Sequence, residues 1–262
     1  MSHLSCIGFH SESDEELSQI AMRAFEQAEP MKVGDNFYMY YRDESGAELW
    51  LQFDRQKQLI GLSPHFDSAG YWLVGLKAMM EQEQNSMDGS FFGEVLAGQL
   101  GDRGSGLFPV LFDSPDFAMV QSLAFPTEQE VWLSAFSRFI QVISQEVWSG
   151  QPAELLPIGL HGPDGSVNER PQAIAEITAA ILSVALKKNQ LTNQQFYVME
   201  VAMYSLKLTV VADPVLLKDG TPSPGDWITG EFWLSGRLKN CVSSRPKESR
   251  WKRLSSIFSK WD

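Results

Sequence analysis

The chain has 262 residues, 44% hydrophobic, 11% aromatic and 21% charged, enough to bury the core of one large or two modest domains. No run approaches the roughly 18 consecutive apolar residues of a membrane-spanning helix. Met1 to His10 has no basic region leading into an apolar stretch, which argues against a secretion signal and for a cytoplasmic protein. The formal charge of -12 repels phosphate backbones and disfavours nucleic acid as a partner.

Ser13-Asp14-Glu15-Glu16 has the form of a capping box, and Leu17, Ile20, Ala21, Ala24, Phe25 and Ala28 follow at helical spacing, so a helix is expected over Asp14 to Ala28. Its acidic first turn suits the helix dipole and needs no catalytic explanation. Three aromatic, branched runs come next, Phe37 to Arg42, Glu48 to Asp54 and Leu59 to Leu62, and read as an antiparallel meander. Tyr71 to Met80 is expected to return to helix, with Trp72, Leu76, Met79 and Met80 on one face. Phe91 to Ala97 and Leu107 to Phe112 read as strands around a glycine-rich loop, Gly98 to Gly106. That loop lacks the lysine and hydroxyl residue of a phosphate-binding loop and is a hairpin connection.

Thr127 to Trp148 fits two patterns. Trp132, Ala135, Phe136, Phe139, Ile140 and Ile143 suit a helix, while Val131, Leu133, Ala135, Phe139 and Ile143 suit one face of a long strand. A boundary falls near 125 or near 150. Ala173 to Leu186 is rich in alanine yet carries enough branched side chains for a strand. Phe196 to Met203 and Leu206 to Ala212 read as strands, Pro222 to Asp226 as a turn, and Trp227 to Leu238 as a long strand. A faint echo relates Phe37 to Asp54 with Phe196 to Asp213.

Glu48-Leu49-Trp50-Leu51-Gln52, Pro64-His65-Phe66, Asn193 to Phe196, Val210 to Pro214 and especially Gly230-Glu231-Phe232-Trp233-Leu234-Ser235-Gly236-Arg237-Leu238 resemble a family of uncharacterised bacterial proteins. The resemblance covers most of the chain and implies no activity. It implies a strand for Ala173 to Leu186 and a compact, OB-like antiparallel barrel in the C-terminal portion.

The expected fold is therefore α+β and predominantly antiparallel. A helix-and-sheet portion spans 1–125, a mainly β portion 126–244 and a basic tail helix 245–262.

Chemistry is sparse. His3, His10, His65 and His161 include no pair at metal-ligand spacing, and Cys6 and Cys241 make neither a disulfide framework nor a zinc site, so no metal or cofactor is expected. No Gly-x-Ser-x-Gly occurs, and Ser235 falls inside a strand. Asp54 and Asp213 end strands, where turn bonds are their usual purpose. A hydrolytic site gathered from His65, Asp67, Glu94 and Asp113 in a cleft between the portions is the alternative to a protein without catalysis.

The end of the chain carries the sharpest signal. From Arg237 to Asp262 eight basic side chains meet two acidic ones, a balance of +6 that leaves -18 on the preceding residues. Trp251, Leu254, Ile257, Phe258 and Trp261 recur at helical spacing with Arg250, Lys252, Arg253 and Lys260 around them. Such a segment suits the chain's own acidic body, a groove on a partner protein or an anionic membrane surface. The leading expectation is a non-catalytic cytoplasmic binding or adaptor protein that meets a protein partner through Trp251, Lys252, Arg253, Leu254, Phe258 and Trp261. A membrane role ranks behind it.

Overall fold

The computed structural model describes residues 3–68, 70–82, 85–97, 106–150, 152–158, 160, 168, 171–218 and 220–239. After a 3₁₀ turn, His3–Ile7, comes one α-helix, α1 (Asp14–Gln27). The Ser13 side chain accepts from the Glu16 N–H, and Glu16 accepts from the Glu12 N–H at 2.7 Å, so the carboxylate closes on the residue just before the cap. Ile20, Ala21, Ala24 and Phe25 form the buried face, as their spacing requires.

β1 (Glu29–Val33), β2 (Asn36–Arg42), β3 (Ala47–Phe53) and β4 (Leu59–Phe66) pair in chain order as a four-stranded antiparallel sheet. A second sheet holds β5 (Trp72–Gln82), β6 (Asn85–Leu96), β7 (Gly106–Asp113), β8 (Thr127–Ile143), β9 (Glu154–Ile158), β10 (Ile174–Lys188), β11 (Gln195–Met203), β12 (Leu206–Ala212) and β13 (Trp227–Leu238). Its order is β11-β12-β8-β5-β6-β7-β13-β10-β9, and β10 also pairs with β11 and β8 with β13. These pairings close two rings of five strands, β5-β6-β7-β13-β8 and β10-β11-β12-β8-β13, which share the long β8–β13 pair. Two joints are parallel, β12 with β8 and β7 with β13; the others are antiparallel. The α+β, mainly antiparallel class is thus correct.

The rings follow one plan. Each has three consecutive antiparallel strands, a 3₁₀ turn (Phe117–Met119 or Pro214–Leu216), and a long strand that also completes the other ring. Ser134 and Ser235 lie opposite one another in the shared pair, and each also aligns with its parallel neighbour, Thr209 or Asp113. The sequence repeats there too: Glu130-Val131-Trp132-Leu133-Ser134 matches Glu231-Phe232-Trp233-Leu234-Ser235 at four of five positions. The echo between Phe37–Asp54 and Phe196–Asp213 instead matches the β2–β3 hairpin, which lies outside both rings, to β11–β12.

Tyr71 to Met80 is a correction, because it is strand β5 and not a helix. Trp72, Val74 and Leu76 alternate into the ring interior and Lys77 points to solvent, while Met79 and Met80 are only partly buried. Thr127 to Ile143 is the long strand. Opposite the step from Glu231 to Phe232 the partner on β8 jumps from Phe139 to Ser137, so Arg138 is an extra residue. That bulge flips the strand's phase. Ile140 is buried, whereas Phe139, expected inside, is 51% exposed. Ala173 to Leu186 lies almost wholly in β10, as the resemblance implies. Strands from both sides of residue 125 share the nine-stranded sheet.

Two cores result. One fills the rings, with Val74, Phe91, Phe112, Leu133, Val210, Phe232 and Leu234. The other lies between α1 with the four-stranded sheet and the outer face of the rings, where Phe25, Leu49, Leu51 and Phe53 belong to one cluster with Leu111, Phe136, Val211 and Trp233. The four-stranded sheet thereby covers only part of that outer face.

Candidate functional site

Every residue of β3 is buried, and alternation sends Glu48, Trp50 and Gln52 to the face away from Leu49 and Leu51. Burying polar groups there requires partners. Gln52 donates to Asp88, which also accepts from Ser63 and Asn85. Glu48, 1% exposed, accepts from Tyr40 Oη at 2.6 Å, Trp50 Nε1 at 3.3 Å and Arg237 Nη1 at 3.2 Å. Arg237 Nε donates to Asp116 Oδ2 at 3.2 Å, and the guanidinium lies 4.5 Å from the Trp50 ring centroid. Close by, His65 Nδ1 lies 2.9 Å from Ser235 Oγ. Three runs that carried the family resemblance, Glu48–Gln52, Pro64–Phe66 and Gly230–Leu238, meet in this seam.

A serine bonded to a histidine is the first pair of nucleophilic chemistry. Here Ser235 is 0% and His65 1% exposed, so no substrate reaches the hydroxyl. Burial, with a smaller contribution from Arg237, lowers the His65 pKa to about 3 against the opposing pull of Asp116. The imidazole is neutral at physiological pH. The seam joins two sheets and its polar groups are engaged in doing so.

A cavity of about 210 Å³ opens at the end of the seam, lined by His3, Pro64, Asp88, Asp113 and Trp233 among others. Asp113 accepts from Ser90 and, at 2.6 Å, from Trp233 Nε1. Burial raises its pKa, Asp88 adds to the rise, and the two bonds oppose it. His3 stacks on Trp233 with centroids 4.4 Å apart, its pKa lowered to about 4 by burial and then by Arg138.

The four residues expected to form a hydrolytic site are each engaged separately. His65 meets Ser235, Asp67 pairs with Arg42, Glu94 pairs with Lys77 at 2.6 Å, and Asp113 bonds Ser90 and Trp233. Of the four, only Asp113 borders the cavity. Asp54 and Asp213 accept from the Gln58 and Val215 N–H groups, the turn roles their positions suggested. Cys6 is buried, donates to the Ser137 carbonyl at 3.2 Å and has its pKa pushed up to about 12 by burial, so its thiol is inert. Trp251, Lys252, Arg253, Leu254, Phe258 and Trp261, with His161 and Cys241, lie outside the described residues. Among the described residues, no group of three or more His, Cys, Asp or Glu side chains could hold a metal ion, and no helix is long and apolar enough to cross a membrane.

A different face remains open. Residues directly opposed across strands share a face, and register aligns two rows over β9, β10, β13 and β8. The first is Leu156–Glu176–Glu231–Phe139 and the second Glu154–Thr178–Thr229–Gln141. Together with Gly230 they line a shallow groove of about 280 Å³. Leu156 is 45% and Phe139 51% exposed, and between them the carboxylates of Glu176 and Glu231 stand in directly opposed positions, an arrangement that costs stability. Arg138 Nη1, 3.8 Å from Glu231 Oε2, offsets only part of this. One signal for the site was legible: Glu176 is the single charged residue of Ala173 to Leu186. Its alignment with Leu156, Glu231 and Phe139 was not, because it depends on which distant strands become neighbours.

Comparison with models of known protein families gives no match, and comparison with curated proteins gives none either.

Proposed function

We propose that this chain is a non-catalytic protein-binding protein of the adaptor kind, and that the groove over β9, β10, β13 and β8 is its binding face. The observation that carries this reading is the row Leu156–Glu176–Glu231–Phe139, two exposed apolar side chains flanking two opposed carboxylates. Such a row favours a partner segment that supplies a cation between the glutamates and apolar side chains on either side. The connectivity supports a finer reading of the scaffold as two OB-like rings that exchange their long strands. In each, the first three strands run antiparallel in order, the fourth lies beside the first, and the fifth is parallel to the third. Fold alone does not assign a ligand, and the charge of -12 turns the choice from nucleic acid towards basic protein segments.

The test compares proteins captured from a lysate by the full chain, by Glu176→Lys with Glu231→Lys, and by a chain ending at Ser244. Partners that are lost on reversing the two glutamates, and that dissociate in high salt, support the reading. Identical partner sets for all three baits refute it.

A further inference from the structure

We propose that the segment 245–262 of this same chain seats in the groove over β9, β10, β13 and β8 and covers it. This rests on the reading of that groove as a face for basic, apolar protein segments, and names its resident occupant.

Charge is the first argument. The segment carries Arg245, Lys247, Arg250, Lys252, Arg253 and Lys260 against Glu248 and Asp262. The groove presents Glu154, Glu176 and Glu231, and Arg138 approaches Glu231 to 3.8 Å. A guanidinium placed between Glu176 and Glu231 turns a like-charge pair into a bridged one. Arginine does this well because its planar fork addresses two carboxylates at once.

Length is the second. Leu156 and Phe139 end a row of four strands, three steps of about 4.8 Å, hence about 14 Å apart. Wound as the helix its spacing predicts, Trp251 and Trp261 are separated by about 15 Å of rise. The two indoles therefore match the two exposed apolar ends, with Leu254 and Phe258 between them. On that helix Arg253 borders the apolar arc about 3 Å of rise beyond Trp251, near the level of the first of the two glutamates from whichever end Trp251 occupies.

Reach is the third. β13 ends at Leu238, and Glu231 lies about 23 Å back along it. The residues from Lys239 to Arg250 extend to about 36 Å, enough to turn and run back along the sheet.

The decisive experiment uses a labelled peptide of residues 245–262 and fluorescence anisotropy. The chain ending at Ser244 should bind it with an affinity that falls steeply in salt, and Glu176→Lys with Glu231→Lys should weaken binding by roughly tenfold or more. Both substitutions are on an exposed face, and an unchanged melting temperature verifies folding. The full chain should bind the peptide at least about tenfold more weakly than the truncated one, because its own segment fills the groove. Equal binding by full and truncated chains overturns the proposal, as does binding that ignores the two glutamates. Sedimentation separates a seat on a second copy: a full chain that dimerises where the truncated chain is monomeric overturns the intramolecular seat. Flotation with phosphatidylserine vesicles separates a lipid surface, since vesicle binding by the full chain equal to that of the free peptide also overturns it. If the peptide fails to bind while the groove glutamates still govern partner capture, only this inference falls.

Discussion

Arg237 holds the most demanding position in the molecule. It neutralises Glu48 and Asp116, each 1% exposed, and its removal strands two buried carboxylates. Arg237→Met should lower the unfolding free energy by about 3–5 kcal/mol in urea titrations, and adding Glu48→Gln with Asp116→Asn should recover part of that loss. Should Arg237→Met cost under about 1 kcal/mol, the ion network is not what ties the two sheets. His65 makes a second prediction. Its pKa is about 3 when folded and 6.5 at its ordinary value, so between these the unfolded chain binds more protons and stability falls as pH falls. His3, lowered to about 4, adds to the same slope, while the raised pKa of Asp113 acts the other way because the folded state then holds the extra proton. His65→Gln should make the stability profile shallower between pH 6.5 and 4, by up to about 1.4 kcal/mol per pH unit. An unaltered slope would show that His65 titrates normally.

At the scale of elements, α1 depends on its cap. Ser13→Ala should cost about 1 kcal/mol and show as faster amide exchange in the first turn of the helix. Gly230 sits beside the bulge of β8, where an added Cβ would lie 2.1 Å from the Phe139 carbonyl oxygen. Gly230→Ala should therefore destabilise by about 1–3 kcal/mol, with loss of exchange protection concentrated on the β8–β13 pair. Normal protection there would mean that the backbone moves aside at little cost.

Helix α1 was legible because its cap and its apolar period agree, and β2, β3 and the first half of β4 were legible because short aromatic or branched runs sit between turn residues. By contrast β1, Glu29-Pro30-Met31-Lys32-Val33, carries no such run and was not anticipated. β5 was misread because Trp72, Leu76, Met79 and Met80 fit a helix face as well as Trp72, Val74 and Leu76 fit a strand, and the sheet neighbours that favour the strand are distant in sequence. The phase of β8 depends on a bulge set by its register with β13, which no local pattern encodes. The buried seam was half visible. Glu48, His65, Ser235 and Arg237 all stood in the runs that carried the resemblance, while Asp88 and Asp116 had no sequence signal apart from being acidic.

For the whole molecule, the exchange of β8 and β13 makes the rings interdependent. A chain ending at residue 226 lacks β13 and with it one member of each ring. Such a chain should show no cooperative thermal transition, although 226 residues is ample for an ordinary domain. A cooperative melt for that fragment would mean that one ring closes without the shared strand.

The same exchange governs how the protein is born. A ribosome releases β5, β6, β7 and β8 long before β13, so the first ring emerges with a gap that only a much later segment can fill. During that wait the bare edges of β7 and β8 are templates for unintended pairing, a hazard that grows when many nascent chains crowd together. Closure of both rings then falls on a single late event, the arrival of one strand, which leaves the nascent chain unguarded until that strand is made.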